Sequence, residues 1–244
     1  MIRTIFVWFC IVVDTLVLGF LVMIIYLFDR SGGTGHGIAR LWAKGIVWAS
    51  GVKVKTEGLE HIQGEGPYLF MSNHQGAYDI FALESYLPFH FKWLAKKELF
   101  SIPVLGWAMA AAGYIPIDRE GTRETVKAMN EAAQKIHEGM SVVIFPEGSR
   151  SPDGSIQPFK KGGFTLAIKS GVPIVPIAIT GSREIMPKGR LTVRSGEIRI
   201  RIGHPIETHS CSLKDRKPLM ERVNQAISSH FALICRQGSN EGHG

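Results

Sequence analysis

The chain opens with a long apolar segment. Nearly every residue from Thr4 to Phe28 is apolar, and only three interrupt the run: Asp14, Thr15 and Gly19. The segment exceeds the roughly 20 residues that a helix needs to cross a bilayer. A cleaved signal peptide would have a shorter apolar core and small residues at a cleavage site, which this sequence lacks. We therefore predict a retained membrane helix in which Asp14 packs against protein, since a carboxylate facing lipid is costly.

A second amphipathic segment follows. The glycine-rich stretch 31–37 predicts a flexible turn, and from Ile38 to Ser50 apolar residues share one helical face while Arg40 and Lys44 lie on another. This pattern is typical of an interfacial helix, and also of a soluble helix packed on a core. Basic residues after the apolar segment favour a cytoplasmic position for the rest of the chain, although Arg3 competes with them.

Beyond residue 51, short apolar runs alternate with helical patterns, which predicts an α/β domain. The predicted strands are 52–55, 68–71, 91–94, 113–119, 141–145, 172–177 and 197–202, and the predicted helices are 80–87, 102–112, 122–139, 160–170 and 218–231. Pro173 and Pro176 predict that their strand lies at a sheet edge or bulge.

The heptapeptide Asn73 to Asp79 carries the first candidate chemistry. His74 follows a buried strand and Asp79 precedes a helix. Five residues apart in one helix, they would point about 140° away from each other, so they meet only if His74 lies in the turn and Asp79 in the first helical turn. We expect Gly76 to supply the backbone freedom for this turn. A histidine held by a carboxylate accepts a proton from an alcohol; the alternative is a loop histidine beside an N-capping aspartate.

Composition narrows the function classes. The 244 residues carry a net charge of +7 with a pI near 9.4, which suits nucleic acid, an anionic membrane or a phosphorylated substrate. The three cysteines have no paired spacing, so neither a disulfide framework nor a zinc site is indicated. There is no Gly-x-Ser-x-Gly elbow and no metal-ligand cluster, which argues against a serine hydrolase or a metal-dependent enzyme.

Further charged residues follow the predicted strands, where α/β sheets bind ligands. Lys97, Arg119, Glu147 and Arg150 are each at such a strand end, and Lys160 precedes a helix whose amides also suit an anion. Solvated lysines and a surface ion pair are the alternative interpretations.

Four sequence blocks in order carry a family resemblance: Asn-His-x4-Asp, Gly-x5-Arg, Phe-Pro-Glu-Gly-Ser-Arg and Val-Pro-Ile-Val-Pro, between Asn73 and Ile177. They resemble the glycerolipid acyltransferases, specifically the 1-acyl-sn-glycerol-3-phosphate (lysophosphatidic acid) acyltransferases. The chain departs from the family pattern at Pro116, often aromatic there, and at Ser149, usually threonine.

The resemblance implies a mixed α/β sheet flanked by helices, with the first two helices forming a membrane-embedded hairpin. With the sequence patterns above, it divides the chain into a membrane anchor (1–50) and a catalytic domain (51–237), followed by a tail (238–244) that its composition predicts to be disordered. It assigns His74 as the general base and Asp79 as its partner. The acceptor-binding residues that it implies are Arg119, Glu147, Gly148 and Arg150, to which we add Lys97 and Lys160 as phosphate ligands.

The expected reaction moves a fatty acyl group from a thioester to the sn-2 hydroxyl of lysophosphatidic acid, giving phosphatidic acid. No metal or cofactor is expected; acyl-coenzyme A or acyl carrier protein is the co-substrate. We expect membrane lipid but no nucleic acid as a partner, and a catalytic domain facing the cytoplasm at the inner or plasma membrane of a bacterium. Another lysolipid or glycerol phosphate as acceptor, or a non-catalytic protein that binds anionic lipid, remain alternatives.

Overall fold

The computed structural model describes residues 1–64, 66–118 and 123–241. In these ranges the helices are α1 (Ile2–Tyr26), α2 (Gly33–Ala49), α3 (Tyr78–Tyr86), α4 (Leu105–Ala111), α5 (Arg123–His137), α6 (Lys161–Ser170), α7 (Ser182–Ile185) and α8 (Arg216–Glu241). The strands are β1 (Val52–Glu57), β2 (Leu69–Ser72), β3 (Phe91–Lys96), β4 (Ile115–Ile117), β5 (Ser141–Ile144), β6 (Ile174–Thr180) and β7 (Gly196–Ile202). Short 3-10 helices cover Leu59–His61, Lys97–Ser101 and Leu213–Asp215.

The strands form one mixed sheet in the order β1-β7-β6-β2-β5-β3-β4. All neighbouring pairs are parallel except β6 and β7, which are antiparallel. The carboxyl ends of β2, β5, β3 and β4 therefore lie at the same edge of the sheet. The predicted fold class, a mixed α/β sheet flanked by helices, is confirmed.

Both faces of the sheet are covered, because successive strand residues point to opposite sides. In β2, Phe70 joins the core beneath α1 to α4, while Leu69 and Met71 join the core beneath α5, α6 and α8. All four residues of β2 are buried, and so are all four of β5. This explains why these strands are continuous apolar runs in the sequence rather than alternating ones.

The N-terminal helices pack along the α/β part of the chain. Near the start of α1, the Trp8 indole donates to the Leu191 carbonyl oxygen at 2.9 Å. Just beyond its end, the buried Lys92 ammonium of β3 donates to the Gly32 carbonyl oxygen at 3.1 Å. Contacts at both ends make α1 lie along the domain rather than project away from it. Among the described helices, α1 alone is long and apolar enough to cross a membrane.

Polar residues of α1 contact α2, as predicted for Asp14. The Asp14 carboxylate faces Gly45, where an added Cβ would lie 3.3 Å from Oδ2. The Trp42 indole donates to the Thr15 hydroxyl at 3.1 Å. Thus α1 and α2 form a packed helical hairpin with its polar groups at the helix–helix contact.

Three local predictions are wrong in whole or in part. The prediction of an edge or a bulge for β6 is wrong about the edge, because β6 pairs with both β2 and β7. Beside the prolines the partner segment has one extra residue, since Ile177 pairs with Ile202 and Ile174 with Ile206, and the Pro176 carbonyl oxygen accepts from the Gly203 amide at 2.8 Å. Helix α2 begins at Gly33, inside the predicted flexible turn, and Asp29 accepts the Thr34 amide at 3.0 Å there. Helix α8 continues to Glu241, through the start of the predicted disordered tail.

Gly76, in the turn between β2 and α3, is required by space rather than by backbone conformation. It does not adopt a positive φ, contrary to the expectation of conformational freedom. An added Cβ would lie 2.4 Å from the carbonyl oxygen of Ser182, the first residue of α7. Any side chain at this position must therefore displace the backbone of α7 or of the turn.

We predict that Gly76→Ala lowers the free energy of unfolding by about 1–3 kcal/mol, the usual cost of overpacking. Chemical unfolding in detergent measures this. Gly37→Ala is the matched control, because an added Cβ there meets nothing within 4 Å and alanine favours a helix. Equal stability of the two variants would contradict the steric account.

Candidate active site

The predicted site residues follow the strands that end at one sheet edge. His74 lies two residues after β2, and Glu147 lies three residues after β5, the parallel neighbour of β2. Lys97 directly follows β3 and Asp118 directly follows β4. Ligands of α/β sheets bind at such carboxyl edges. The sheet topology thus brings together blocks that are far apart in the sequence.

Asp79 holds His74 as predicted. Asp79 is the second residue of α3, and its Oδ2 accepts a hydrogen bond from His74 Nδ1 at 2.8 Å. The same oxygen accepts the backbone amides of Gln75 at 2.6 Å and Gly76 at 2.9 Å. Since the carboxylate is an acceptor, Nδ1 carries the proton and Nε2 holds the free lone pair. His74 Nε2 has no hydrogen-bond partner among the described residues, which leaves it available as a base.

The loop after β5 fixes the backbone of His74 on both sides. Glu147 Oε1 accepts the His74 amide at 2.7 Å, and the Ser151 amide donates to the His74 carbonyl oxygen at 2.8 Å. Glu147 Oε2 accepts the Gln157 amide at 3.0 Å. Both oxygens of this buried carboxyl are therefore used within the protein. The structure gives Glu147 a positioning role, while its predicted contact with substrate stays a prediction.

Aromatic packing fixes the plane of the imidazole. The His74 ring is stacked on Phe145, with centroids 3.8 Å apart and planes 8° apart. Asp79 orients the ring edge and Phe145 covers a ring face, so the two contacts restrict different motions of the same side chain. Phe145 was not among the predicted site residues, although its position between an apolar strand and Pro146-Glu147 indicates that it lies at the same strand end as Glu147.

Asn73 belongs to the Asn-His-x4-Asp motif, and the structure shows what its side chain contacts. Its side-chain amide donates to the Ile179 carbonyl oxygen at 2.9 Å and accepts the Ile179 amide at 2.8 Å. The side chain thereby ties the end of β2 to β6. No sequence signal identifies Ile179 as the partner, because the two residues are 106 positions apart.

The predicted cations differ in their availability. Lys97 forms an exposed ion pair with Asp118 at 3.2 Å. Arg150 is half-buried and Lys160 is exposed, and neither side chain makes a hydrogen bond or ion pair with the described residues. The Lys160 side chain lies against Gly148, whose φ of 76° favours glycine. Arg119 and the predicted helix-capping Thr122 lie outside the described residues.

Metal ligands are not grouped in the part of the chain that the structure describes. No cluster of three or more histidine, cysteine, aspartate or glutamate side chains with suitable geometry occurs there. His61 and His204 contact each other with ring centroids 3.9 Å apart and planes tilted by 32°.

At the carboxyl edge of this α/β sheet, His74 has an open Nε2, and Arg150 and Lys160, on the segment that follows β5, have no hydrogen-bond or ion-pair partner among the described residues. This arrangement is typical of the class of enzymes that take a proton from their substrate with a histidine. The chain belongs to the acyltransferase family, since residues 53–180 match the family model described as Acyltransferase.

Individual relatives and a solved structure agree with this assignment. The chloroplastic 1-acyl-sn-glycerol-3-phosphate acyltransferase BAT2 of Brassica napus is 38% identical, over 82% of this chain and 59% of the relative. The 1-acyl-sn-glycerol-3-phosphate acyltransferase alpha of Homo sapiens is 34% identical, over 84% of this chain and 73% of the relative. The crystal structure of the 1-acyl-sn-glycerophosphate acyltransferase PlsC from Thermotoga maritima has a TM-score of 0.82 and 26% identity, covering 96% of this chain and 95% of that one.

The lengths of the relatives differ from that of this chain. The match spans about three-fifths of the Brassica protein, and 48% of the chloroplastic LPAT1 of Arabidopsis thaliana, which is 40% identical over 70% of this chain. Residues 53–180, which match the family model, contain His74, Asp79 and the loop after β5.

We predict that Asp79→Asn lowers kcat by about 10²–10⁴-fold in an acyl-transfer assay. An amide in place of the carboxylate puts a donor among three N–H groups, so His74 loses its tautomer and orientation. Asp215→Asn is the control, because Asp215 also accepts a backbone amide, that of Ser212 at 2.8 Å, but at the start of a 3-10 helix outside this site. An equal loss of kcat in both variants would contradict the assignment.

The burial of Glu147 predicts that the free energy of unfolding depends on pH. Burial raises the pKa of Glu147 to about 7, while the amides of Gln157 and His74 oppose the shift and nearby Asp79 adds to it. Because the folded-state pKa lies above the unfolded one, the stability from this carboxyl is fully present below the unfolded pKa and is lost as pH rises toward about 7. The loss of stability in Glu147→Gln is therefore larger at about pH 5 than at about pH 7.5. Chemical unfolding at both values tests this, and a pH-independent difference would contradict it.

Proposed function

We propose that this chain transfers a fatty acyl group from an acyl thioester to the sn-2 hydroxyl of 1-acyl-sn-glycerol-3-phosphate, forming phosphatidic acid. The observation that carries the proposal is the 2.8 Å bond between His74 Nδ1 and Asp79 Oδ2, which presents Nε2 as a base. The names of the relatives from Brassica napus and Homo sapiens support this acceptor.

The reaction follows from the protonation states of the pair. His74 Nε2 takes the proton of the acceptor hydroxyl as its oxygen attacks the thioester carbonyl carbon. The tetrahedral intermediate then collapses with cleavage of the carbon–sulfur bond, and the imidazolium returns the proton to the departing thiolate. Asp79 stabilises the imidazolium between these steps. No covalent acyl-enzyme is needed, because the thioester is already activated.

Arg150 and Lys160 are the proposed ligands of the acceptor's phosphate. Both follow β5 in the chain, and Arg150 directly precedes Ser151, whose amide donates to the His74 carbonyl oxygen. Neither side chain has a hydrogen-bond or ion-pair partner among the described residues. Charge-assisted bonds to phosphate fix the acceptor, and positioning its hydroxyl against Nε2 supplies much of the acceleration. Lys97 joins this set if a phosphate displaces Asp118. Arg119, Glu147 and Gly148 remain predicted acceptor-site residues.

The donor is proposed to be acyl-coenzyme A or acyl carrier protein, with no cofactor. An apolar cavity of about 60 Å³ lies between α1, α2 and α4 and is lined by residues such as Leu18, Trp42 and Ala108. Hydrocarbon suits this lining, because no polar group has to be desolvated there. The apolar lining supports a hydrocarbon group as part of the substrate.

The hairpin of α1 and α2 is proposed to lie in one leaflet rather than to span the bilayer. Large apolar side chains of α1 are exposed on one side, including Phe9, Leu16 and Phe20, while the ends of the helix contact the catalytic part. A contiguous apolar surface of this kind is typical of membrane binding. Together with the basic residues after α1, it supports a catalytic domain on the cytoplasmic side of a membrane, a bacterial inner or plasma membrane in our proposal.

We predict that His74→Ala lowers the acylation of lysophosphatidic acid by at least about 10²-fold, because it removes the general base. The assay uses purified protein in detergent with a panel of acceptors, each combined with acyl-coenzyme A and with acyl carrier protein donors. His209→Ala is the matched control, since His209 is an exposed histidine whose ion pair with Glu207 lies outside the site.

Retained turnover in His74→Ala would contradict the catalytic assignment. Absence of turnover by the wild-type protein with every donor, together with lipid binding that His74→Ala leaves unchanged, would instead favour a non-catalytic lipid-binding protein. Preference for glycerol phosphate or another lysolipid would correct the acceptor only.

A further inference from the structure

The carboxylate of Glu84, in α3, is buried among donors that the proposed reaction does not use. Its side chain is 2% exposed. Oε2 accepts the Trp93 indole N–H at 2.6 Å, and Oε1 accepts the Tyr114 hydroxyl at 3.2 Å, with His36 Nδ1 of α2 also at 3.2 Å. Burying a carboxylate is expensive, and an apolar residue in its place is often neutral or stabilising. Glu84 therefore invites an explanation other than stability.

The rings beyond Glu84 connect it to the catalytic base. Trp93, in β3, is 6% exposed and is stacked on Phe145 with centroids 5.6 Å apart and planes 24° apart. Phe145 is in turn stacked on His74. Three consecutive contacts thus join the Glu84 carboxylate to the His74 imidazole.

Each residue of this path restricts the orientation of the ring that it contacts. Asp79 anchors the edge of the His74 ring, but the tilt of its plane is set by Phe145. Phe145 has no polar group, so its own orientation depends on packing against Trp93. Trp93 does have a polar group, and the hydrogen bond from its indole N–H to Glu84 selects its orientation.

We propose that Glu84 is a positioning residue for catalysis, acting through Trp93 and Phe145 on the plane of the His74 imidazole. The inference rests on the proposed acyl transfer and extends it to a residue that contacts neither substrate nor base. Because Glu84 is buried away from solvent and acts only on orientation, its loss affects kcat and not the binding of either substrate.

Steady-state kinetics of the purified full-length protein test this with Glu84→Gln, Trp93→Phe and the double variant. A glutamine puts an amide N–H against one of the donors, and the phenylalanine removes the indole N–H but keeps a ring. We expect each single variant to lose kcat by about tenfold or more, as small misplacements of a base do, with KM for lysophosphatidic acid and for the acyl donor within about twofold of wild type. The double variant should lose no more than the worse single one, because both remove the same contact.

Glu131→Gln is the control, since Glu131 is an exposed carboxylate on α5. A folded Glu84→Gln with kcat within twofold of wild type overturns the inference, as does a raised KM at unchanged kcat or an additive double variant. If Glu84→Gln does not fold, Trp93→Phe decides alone by the same criteria. Failure of the wild-type protein to turn over would refute the proposed function instead, so the two failures are distinguishable.

Discussion

The rest of the site depends on one carboxylate oxygen, Oδ2 of Asp79. It accepts three hydrogen bonds, from His74 Nδ1 and from the amides of Gln75 and Gly76. Because two of these donors belong to the backbone of the turn, the same atom shapes the turn and orients the imidazole. The base is therefore fixed by the interaction that closes the turn between β2 and α3, and a change in one alters the other.

The sheet then supplies what this turn cannot provide for itself. Parallel pairing of β2 with β5 places Glu147 where it accepts the His74 amide, and Phe145 where it covers the imidazole. The same edge presents Arg150 and Lys160 without partners among the described residues, on the loop and helix that follow β5. On the other side, α1 and α2 cover the sheet and expose an apolar surface. The orientation of the imidazole, the position of the cations and the exposed apolar surface are thus consequences of one topology.

The structure could be predicted best where the interacting residues are close together in the sequence. The distance of five residues between His74 and Asp79 predicted their placement in a turn and a first helical turn, and continuous apolar runs predicted buried strands. Prediction failed where partners are distant or where space decides: Gly76 is needed because of the Ser182 carbonyl, and Pro176 is tolerated inside the sheet because β7 ends beside it. The link from Glu84 to His74 could not be predicted either, because it passes through Trp93 in β3 and through Phe145, which directly follows β5. Arg119 stays a prediction, since it lies outside the described residues.

The tautomer of His74 is the most direct test of the account. Protein labelled with ¹⁵N-histidine is compared with a His74→Gln variant, which identifies the His74 signals among the nine histidines. At a pH where the imidazole is neutral, the account predicts a protonated Nδ1 and an unprotonated Nε2, because Asp79 accepts from Nδ1. A neutral imidazole protonated on Nε2 would have no lone pair to offer the acceptor hydroxyl and would contradict it.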